Sequence, residues 1–406
     1  MFCLEHPCYD GVVRTNVNPA LRRPSRPFSA PTLLALIVAL ALLSACDDAG
    51  ARDPTPIPTA RATAQMPFII HPTTTPRPIP SPASTSTQTP PPVTLPSATP
   101  TPIPTPVPRK PNWGINVADW SNTRLLYELG FEWIQTFLPP NYPVPPFKIL
   151  YRVSLGKAVT GDPAEIEQFA RVVEGVVHNH KGVIQAYSIG NEVNLSREWA
   201  GGQPDPALYA RLLRIAYEKI KAVDPGAIVV SAGLAPTGGD GPGYMDDLSY
   251  ARQMLEAGAG QHLDAYGFHP YGFAYPPEQD PNAPGVNGLA FRRAEAHRAL
   301  MEQYGLSNKP MWATEFGWLL DPRYEGGNCA WPSLDWQKVA PEQQARYARS
   351  AFEYARTNWP WMGVMFLWNY DFSVSPLYPD GCEQMKWFSI IDLFGNPRPI
   401  VEVLRP

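Results

Sequence analysis

The chain has 406 residues, 44% of them hydrophobic and 17% charged, with a formal net charge of −4. That is enough apolar material for one large folded domain with additional segments. The slightly acidic balance excludes the basic footprint of a nucleic-acid binder.

The N-terminal region reads as non-globular. In residues 1–45, Arg22, Arg23 and Arg26 precede an apolar run from Leu33 to Leu43, followed by small residues. A bilayer span takes roughly 20 residues, so this shorter run fits an export signal instead. Leu43-Ser44-Ala45-Cys46 resembles the lipobox of bacterial lipoproteins, whose cysteine is lipidated and becomes the new N-terminus. Cys46 is thus the expected lipid anchor to the membrane, with ordinary cleavage beside an incidental cysteine as the alternative. Residues 46–111 hold 19 of the 50 prolines, interleaved with Thr and Ser. This composition cannot bury a core and predicts a semi-rigid polyproline spacer, with a reach of at most ~200 Å at ~3.1 Å per residue. The expected location is extracytoplasmic, at the surface of a bacterial cell.

All twelve tryptophans lie from Trp113 onward, which marks a folded domain over residues 112–406. A first strand is expected over Asn112 to Val117, then a short helix from Asn122 to Leu129 closed by Gly130. Phe131 to Phe137 and Lys148 to Val153 read as the second and third strands, joined by a proline-rich stretch that is not helical. Asp162-Pro163 and Asp205-Pro206 are N-caps with proline at the first helical position. Ile166, Phe169, Val173 and Val176 follow the first at helical spacing, and Leu208, Leu212, Ile215 and Ile220 follow the second. Ile184 to Ile189 lies between them as the fourth strand, and Ala227 to Ser231 is the fifth. Met245 to Ala257 is helical, Leu263 to Phe268 is the sixth strand, and Leu289 to Tyr304 is helical. Lys309 to Thr314 is the seventh strand, Pro341 opens a helix to about Arg356, and Met362 to Trp368 is the eighth. A short helix from Pro399 to Leu404 closes the chain. Eight strands mostly separated by helices predict an α/β fold, the (β/α)8 TIM barrel, whose active site sits at the C-terminal strand ends.

Two strands deliver a glutamate at that end: Glu192 after the fourth and Glu315 after the seventh. Paired carboxylates on one face are what hydrolysis of a glycosidic bond needs, one as proton donor and base, the other as nucleophile or partner base. A buried ion pair with Lys or Arg is the blander alternative for either glutamate.

Asn191-Glu192 and Glu315 on these strands resemble the clan of retaining glycoside hydrolases built on this barrel. That clan includes cellulase-like family five and xylosidase-like family thirty-nine. The resemblance implies that Glu192 is the acid/base, Asn191 a donor to the sugar 2-hydroxyl, and Glu315 the nucleophile. His269-Pro270-Tyr271 resembles the segment whose tyrosine hydrogen-bonds the nucleophile, and Trp368 resembles the platform under the sugar. Gln135 stands where many members of the clan carry an arginine, and Arg152 is the candidate for that positive group. The resemblance further implies a β-linked oligo- or polysaccharide substrate.

Trp312, Trp318, Trp331 and Trp336 are further candidates for subsite walls, since sugar C–H faces stack on aromatic rings; core packing is the alternative. Trp318 and Trp368 are the two singled out for substrate contact. Cys329 and Cys382 fall in the loops after the seventh and eighth strands, and outside the cytoplasm they are expected to form a disulfide. No metal or cofactor is expected, and His178 and His180 read as complements to a helix C-terminus. The chain is expected to be a monomer. A transglycosylase remodelling cell-surface glycan and a non-catalytic carbohydrate-binding lipoprotein remain as alternatives.

Overall fold

The structure, a computed structural model, describes residues 110–119, 123–140, 144 and 146–406. The expected export signal, Cys46 and the proline-rich spacer lie outside the described residues. Eight strands form the framework: β1 (Lys110–Val117), β2 (Phe131–Thr136), β3 (Lys148–Val153), β4 (Ala186–Ile189), β5 (Ile228–Ser231), β6 (Tyr266–Phe268), β7 (Met311–Phe316) and β8 (Met362–Leu367). All pair in parallel in the order β5-β4-β3-β2-β1-β8-β7-β6. Parallel bridges Val230↔Ala265 and Leu234↔Phe268 join the two ends, so the sheet closes into a (β/α)8 barrel.

The outer ring consists of α1 (Arg124–Glu128), α2 (Pro163–His180), α3 (Pro206–Val223), α4 (Asp247–Glu256), α5 (Ala294–Gln303), α6 (Pro341–Asn358) and α7 (Pro399–Leu404). Among its described residues the β2–β3 connection carries no helix, as its prolines dictate. The two aspartate caps form as the sequence predicts: Asp162 accepts from the Ala164 and Glu165 amides, and Asp205 from those of Ala207 and Leu208. The α2 stripe runs through Ile166, Phe169, Val173 and Val177, with Val176 only partly buried. In α3 the buried stripe is turned by about one residue, to Tyr209, Leu212, Leu213, Ala216 and Ile220. The reason is Tyr209, whose hydroxyl donates to the Ile189 carbonyl (3.0 Å) and accepts from the Ala232 amide (2.6 Å). It thereby ties α3 to the ends of β4 and β5. No helix among the described residues is long and apolar enough to cross a membrane.

Side chains alternate across the strands, so each strand feeds two cores. One cluster fills the barrel: Trp133, Leu150, Ala186, Val230, Ala265, Trp312, Val364 and Phe366. Trp133 and Trp312 meet edge-to-face with centroids 5.1 Å apart. Gly114 leaves room for Phe366, whose ring lies 2.5 Å from where a Cβ would stand. The other cluster lies between strands and helices and takes the alternate residues, among them Met311, Ala313 and Phe316 of β7. A separate small cluster of Leu319, Leu320, Leu334 and Trp387 packs under the loops after β7 and β8. Those loops are joined by the Cys329–Cys382 disulfide, 53 residues apart in sequence.

Strand ends differ from the sequence-based bounds by one to three residues. The consequential difference is β7, which continues through Glu315 to Phe316.

Candidate active site

Strict alternation along β7 would turn Glu315 outward. Trp312 lies in the inner cluster while Ala313 and Phe316 lie in the outer one. A bulge resolves this. Ala313 pairs with Met365 and Phe316 with Leu367, so three steps of β7 match two of β8. The extra residue lets Glu315 face the barrel mouth, a use of bulges that recurs beside active sites.

Glu192 is aimed by a different device. After Ile189 the chain turns at Gly190, with φ +80°, pressed against Leu155 and Val193. Glu192 itself has φ +40°, a region a non-glycine residue enters only when its surroundings impose it. They do so through its amide, which donates to the Gly233 carbonyl (2.8 Å), and its carbonyl, which accepts from the Leu195 amide (2.8 Å).

Both carboxylates are 4% exposed and converge on His269, which is 1% exposed. His269 Nδ1 lies 3.2 Å from Glu192 Oε1 and 3.6 Å from Glu315 Oε2. Facing oxygens of the two glutamates and the ring nitrogen all lie within 4.8 Å of one another. Tyr271 Oη donates to Glu315 Oε2 at 2.8 Å. Arg152 Nη1 stands 3.9 Å from Glu315 Oε1, its guanidinium 4.1 Å from the centre of the Phe137 ring. Arg152 thus stands beside Glu315, while Gln135 is buried in the barrel.

Burial pushes His269 down to about 4; Arg152 and Arg197 act in the same direction, against Glu315 and Glu198. The ring is neutral at neutral pH, and with its proton on Nδ1 it donates to Glu192 Oε1. Gly233 makes this close packing possible, since a Cβ there would stand 2.1 Å from His269 Nε2 and 2.3 Å from Thr314 Oγ1. Glu192, His269 and Glu315 offer three donor atoms at metal-compatible spacing. Two guanidinium groups stand beside the same carboxylates, Arg152 by Glu315 and Arg197 by Glu192.

Asn191 is half-buried beside Glu192. Trp368 closes β8, 8% exposed, with ring centroids 6.1 Å from Phe137 and 4.8 Å from Phe372. The Trp368–Asn369 peptide is cis.

Trp318 is a correction. It is 1% exposed, its Nε1 donates to the Tyr275 carbonyl, and its ring packs on Phe291, Phe316 and Tyr347. It is a core residue beneath the loop after β6 and presents no face to a sugar. Trp312 likewise belongs to the barrel filling. Trp336 is the exposed one, stacked on Phe273 with centroids 5.1 Å apart.

Two residues escaped the sequence reading. Arg197, in the 3-10 turn Ser196–Trp199, hydrogen-bonds Glu192 Oε2 through Nη2. Tyr378 comes from the loop after β8. Burial pushes its hydroxyl up to about 12, with Arg152 opposing and Glu315 adding, which marks it as a neighbour of both. Arg197 lies only five residues beyond Glu192, and that proximity was the available signal.

No protein-family model matches the chain, and no curated protein does. Among solved structures it is similar to a family 39 glycoside hydrolase from the gut symbiont Bacteroides cellulosilyticus WH2, with 19% identity, a TM-score of 0.51 and 73% of this chain covered. The chain spans 63% of the length of that enzyme. It is also similar to a glucosidase from Croceicoccus marinus, with 14% identity and a TM-score of 0.51, over 74% of this chain and 68% of that one. At these identities the likeness is one of fold, and the fold is the (β/α)8 barrel.

Proposed function

We propose that the protein hydrolyses O-glycosidic bonds in a β-linked oligo- or polysaccharide by a retaining double displacement. The observation that carries this reading is the spacing of Glu192 and Glu315, whose facing oxygens lie within 4.8 Å. Retaining enzymes hold their carboxyl groups about 5–5.5 Å apart, whereas inverting ones leave about 6.5–9.5 Å for a water. The fold shared with two glycosidases supports the same reading.

Glu315 attacks the anomeric carbon while Glu192 gives its proton to the glycosidic oxygen, which leaves with the aglycone. Glu192, now a carboxylate, then takes a proton from water, whose oxygen attacks the same carbon and releases Glu315. Tyr271 orients the nucleophile through its O–H donor. His269 keeps Glu192 and Glu315 in register. Asn191 is proposed to bond the sugar 2-hydroxyl, and Trp368 to lie under the ring.

The protein is further proposed to act outside the cytoplasm, anchored through Cys46 and held off the membrane by its spacer. The Cys329–Cys382 disulfide supports an oxidising compartment.

The test is hydrolysis of aryl β-glycosides, β-glucans, mannans and xylans by the full chain, beside Glu315→Ala and Glu192→Ala. The expected result is turnover of one sugar, loss of it in Glu315→Ala, and rescue by azide as a glycosyl azide of inverted anomer. Binding without cleavage by the unaltered protein would replace this reading with a carbohydrate-binding one.

A further inference from the structure

Both oxygens of the general acid are engaged by groups that favour its charged form. Arg197 Nη2 donates to Glu192 Oε2, and His269 Nδ1 stands 3.2 Å from Oε1. A guanidinium at contact distance stabilises a carboxylate over the carboxylic acid. A neutral sugar entering this site would thus meet a Glu192 with both oxygens already engaged, where a proton donor is required. The backbone of this loop is fixed: the Ser196 amide donates to Gly243 O (2.9 Å) and Trp199 Nε1 to Val193 O (2.7 Å). What can move is the Arg197 side chain. It is 27% exposed and is braced on its other side by Glu198, 3.7 Å from Nε. Across the site Arg152, 29% exposed, holds the corresponding place beside Glu315.

We propose that Arg197 selects an acidic sugar, one carrying a carboxylate or sulfate beside the scissile bond, and that this anion draws the guanidinium off Glu192. The inference rests on Glu192 being the acid. The guanidinium fork matches a planar carboxylate or a sulfate through paired hydrogen bonds. Once the substrate anion occupies Arg197, Glu192 takes a proton from solvent and passes it to the glycosidic oxygen as the C–O bond breaks. The substrate thereby completes its own proton donor, and uncharged glycosides, which offer Arg197 no anion, are turned over more slowly.

The experiment compares 4-nitrophenyl β-D-glucuronide, β-D-galacturonide and β-D-glucoside 6-sulfate with the uncharged glucoside and galactoside, using the full chain and its Arg197→Met variant. The expected result is a kcat/KM roughly 10- to 100-fold higher for an acidic glycoside, the worth of one charge-assisted hydrogen bond. Arg197→Met should abolish that preference, its kcat/KM falling further on the acidic glycosides than on the uncharged ones. The sulfate and uronide arms tell which anion is taken, and preference for either supports the inference. An uncharged glycoside cleaved as fast as every acidic one, or an equal loss on both classes in Arg197→Met, overturns it while leaving the hydrolase reading intact. If no glycoside is cleaved, the hydrolase reading fails, and calorimetry decides this one. Arg197-dependent binding of the uronides or the sulfated glucoside without binding of the uncharged glycosides sustains it, and absence of such binding overturns it.

Discussion

Tyr209→Phe removes one oxygen and nothing else, which makes its effect calculable. The ring is wholly buried, so no water can replace the hydroxyl. Its loss strands the Ala232 amide, which it accepts at 2.6 Å, and takes a donor at 3.0 Å from the Ile189 carbonyl. An unsatisfied buried backbone group costs roughly 1–3 kcal/mol, so two of them predict a loss of about 2–6 kcal/mol. Tyr250→Phe is the control. Its ring packs against Tyr209 with centroids 6.3 Å apart, but its hydroxyl makes only a 3.4 Å contact with the Asp205 carbonyl. That change should cost no more than about 1 kcal/mol. Urea unfolding of the full chain, followed by tryptophan fluorescence, gives both values, with an unchanged slope required for the comparison. A Tyr209→Phe loss below about 1 kcal/mol, or one equal to that of Tyr250→Phe, would refute the argument that this hydroxyl ties α3 to β4 and β5.

Glu315→Asp withdraws the carboxylate by one C–C bond, ~1.5 Å, which breaks the 2.8 Å bond from Tyr271 and widens the gap to Glu192. Misplacement by ~1 Å costs on the order of 10²-fold, so kcat for any turned-over glycoside should fall at least that far. A fall below about 10-fold would deny Glu315 the role of nucleophile. Replacing Cys329 and Cys382 by Ser opens a link across 53 residues and should lower stability by about 2–4 kcal/mol, measured as the shift in urea midpoint. Two groups give opposed pH dependences. His269, lowered to about 4, contributes stability that is present above its ordinary 6.5 and is lost as pH falls towards 4. Asp371 is raised by burial to about 6, so the stability linked to its proton is present below its ordinary 3.8 and is lost as pH rises through about 6. The two slopes offset each other between about pH 4 and 6. Relative to the unaltered protein, His269→Asn should lose stability and Asp371→Asn gain it as pH rises through that window, by ~1.4 kcal/mol per pH unit each. Parallel curves for variant and parent would refute either assignment.

Most of the barrel was legible because its signals are local. Asp162-Pro163 and Asp205-Pro206 start helices through side-chain caps that need no tertiary partner. Glu192 and Glu315 stood out because strand ends in this fold share one face. What the sequence did not disclose depends on contacts across the molecule. The stripe of α3 was placed on Leu208 and Ile215 by apolarity, yet a tyrosine hydroxyl seeking two backbone groups turned the helix. Trp318 looked like a wall for sugars, but its Nε1 finds Tyr275 in a loop 43 residues away. The inward aim of Glu315 needs a bulge defined only by the register with β8. Arg197 lies in a 3-10 turn whose side-chain direction no periodicity fixes.

The polar layer at the barrel mouth is held in place against its own preferences. Glu192 keeps a left-handed φ and His269 forgoes a charge. Asn116 Oδ1, Gln135 Oε1 and Thr314 Oγ1 are buried with no hydrogen-bond partner among the described residues. Each of these costs stability locally and would relax if the surroundings allowed it. They do not allow it, because alternation places the apolar filling directly beneath: Trp133 below Gln135 on β2, and Trp312 below Thr314 on β7. Those two indoles and Phe366 lock the strands from inside, so the strand ends cannot shift to satisfy the layer above. Rigidity of the filling is thus what lets two carboxylates, a neutral imidazole and two guanidinium groups be held at fixed distances around one centre. Arg197 reaches Glu192 from the 3-10 turn Ser196–Trp199, with 27% of its side chain exposed. The same architecture that fixes Glu315 and His269 therefore leaves the guanidinium bonded to Glu192 on a turn, as the proposed selection of an acidic sugar requires.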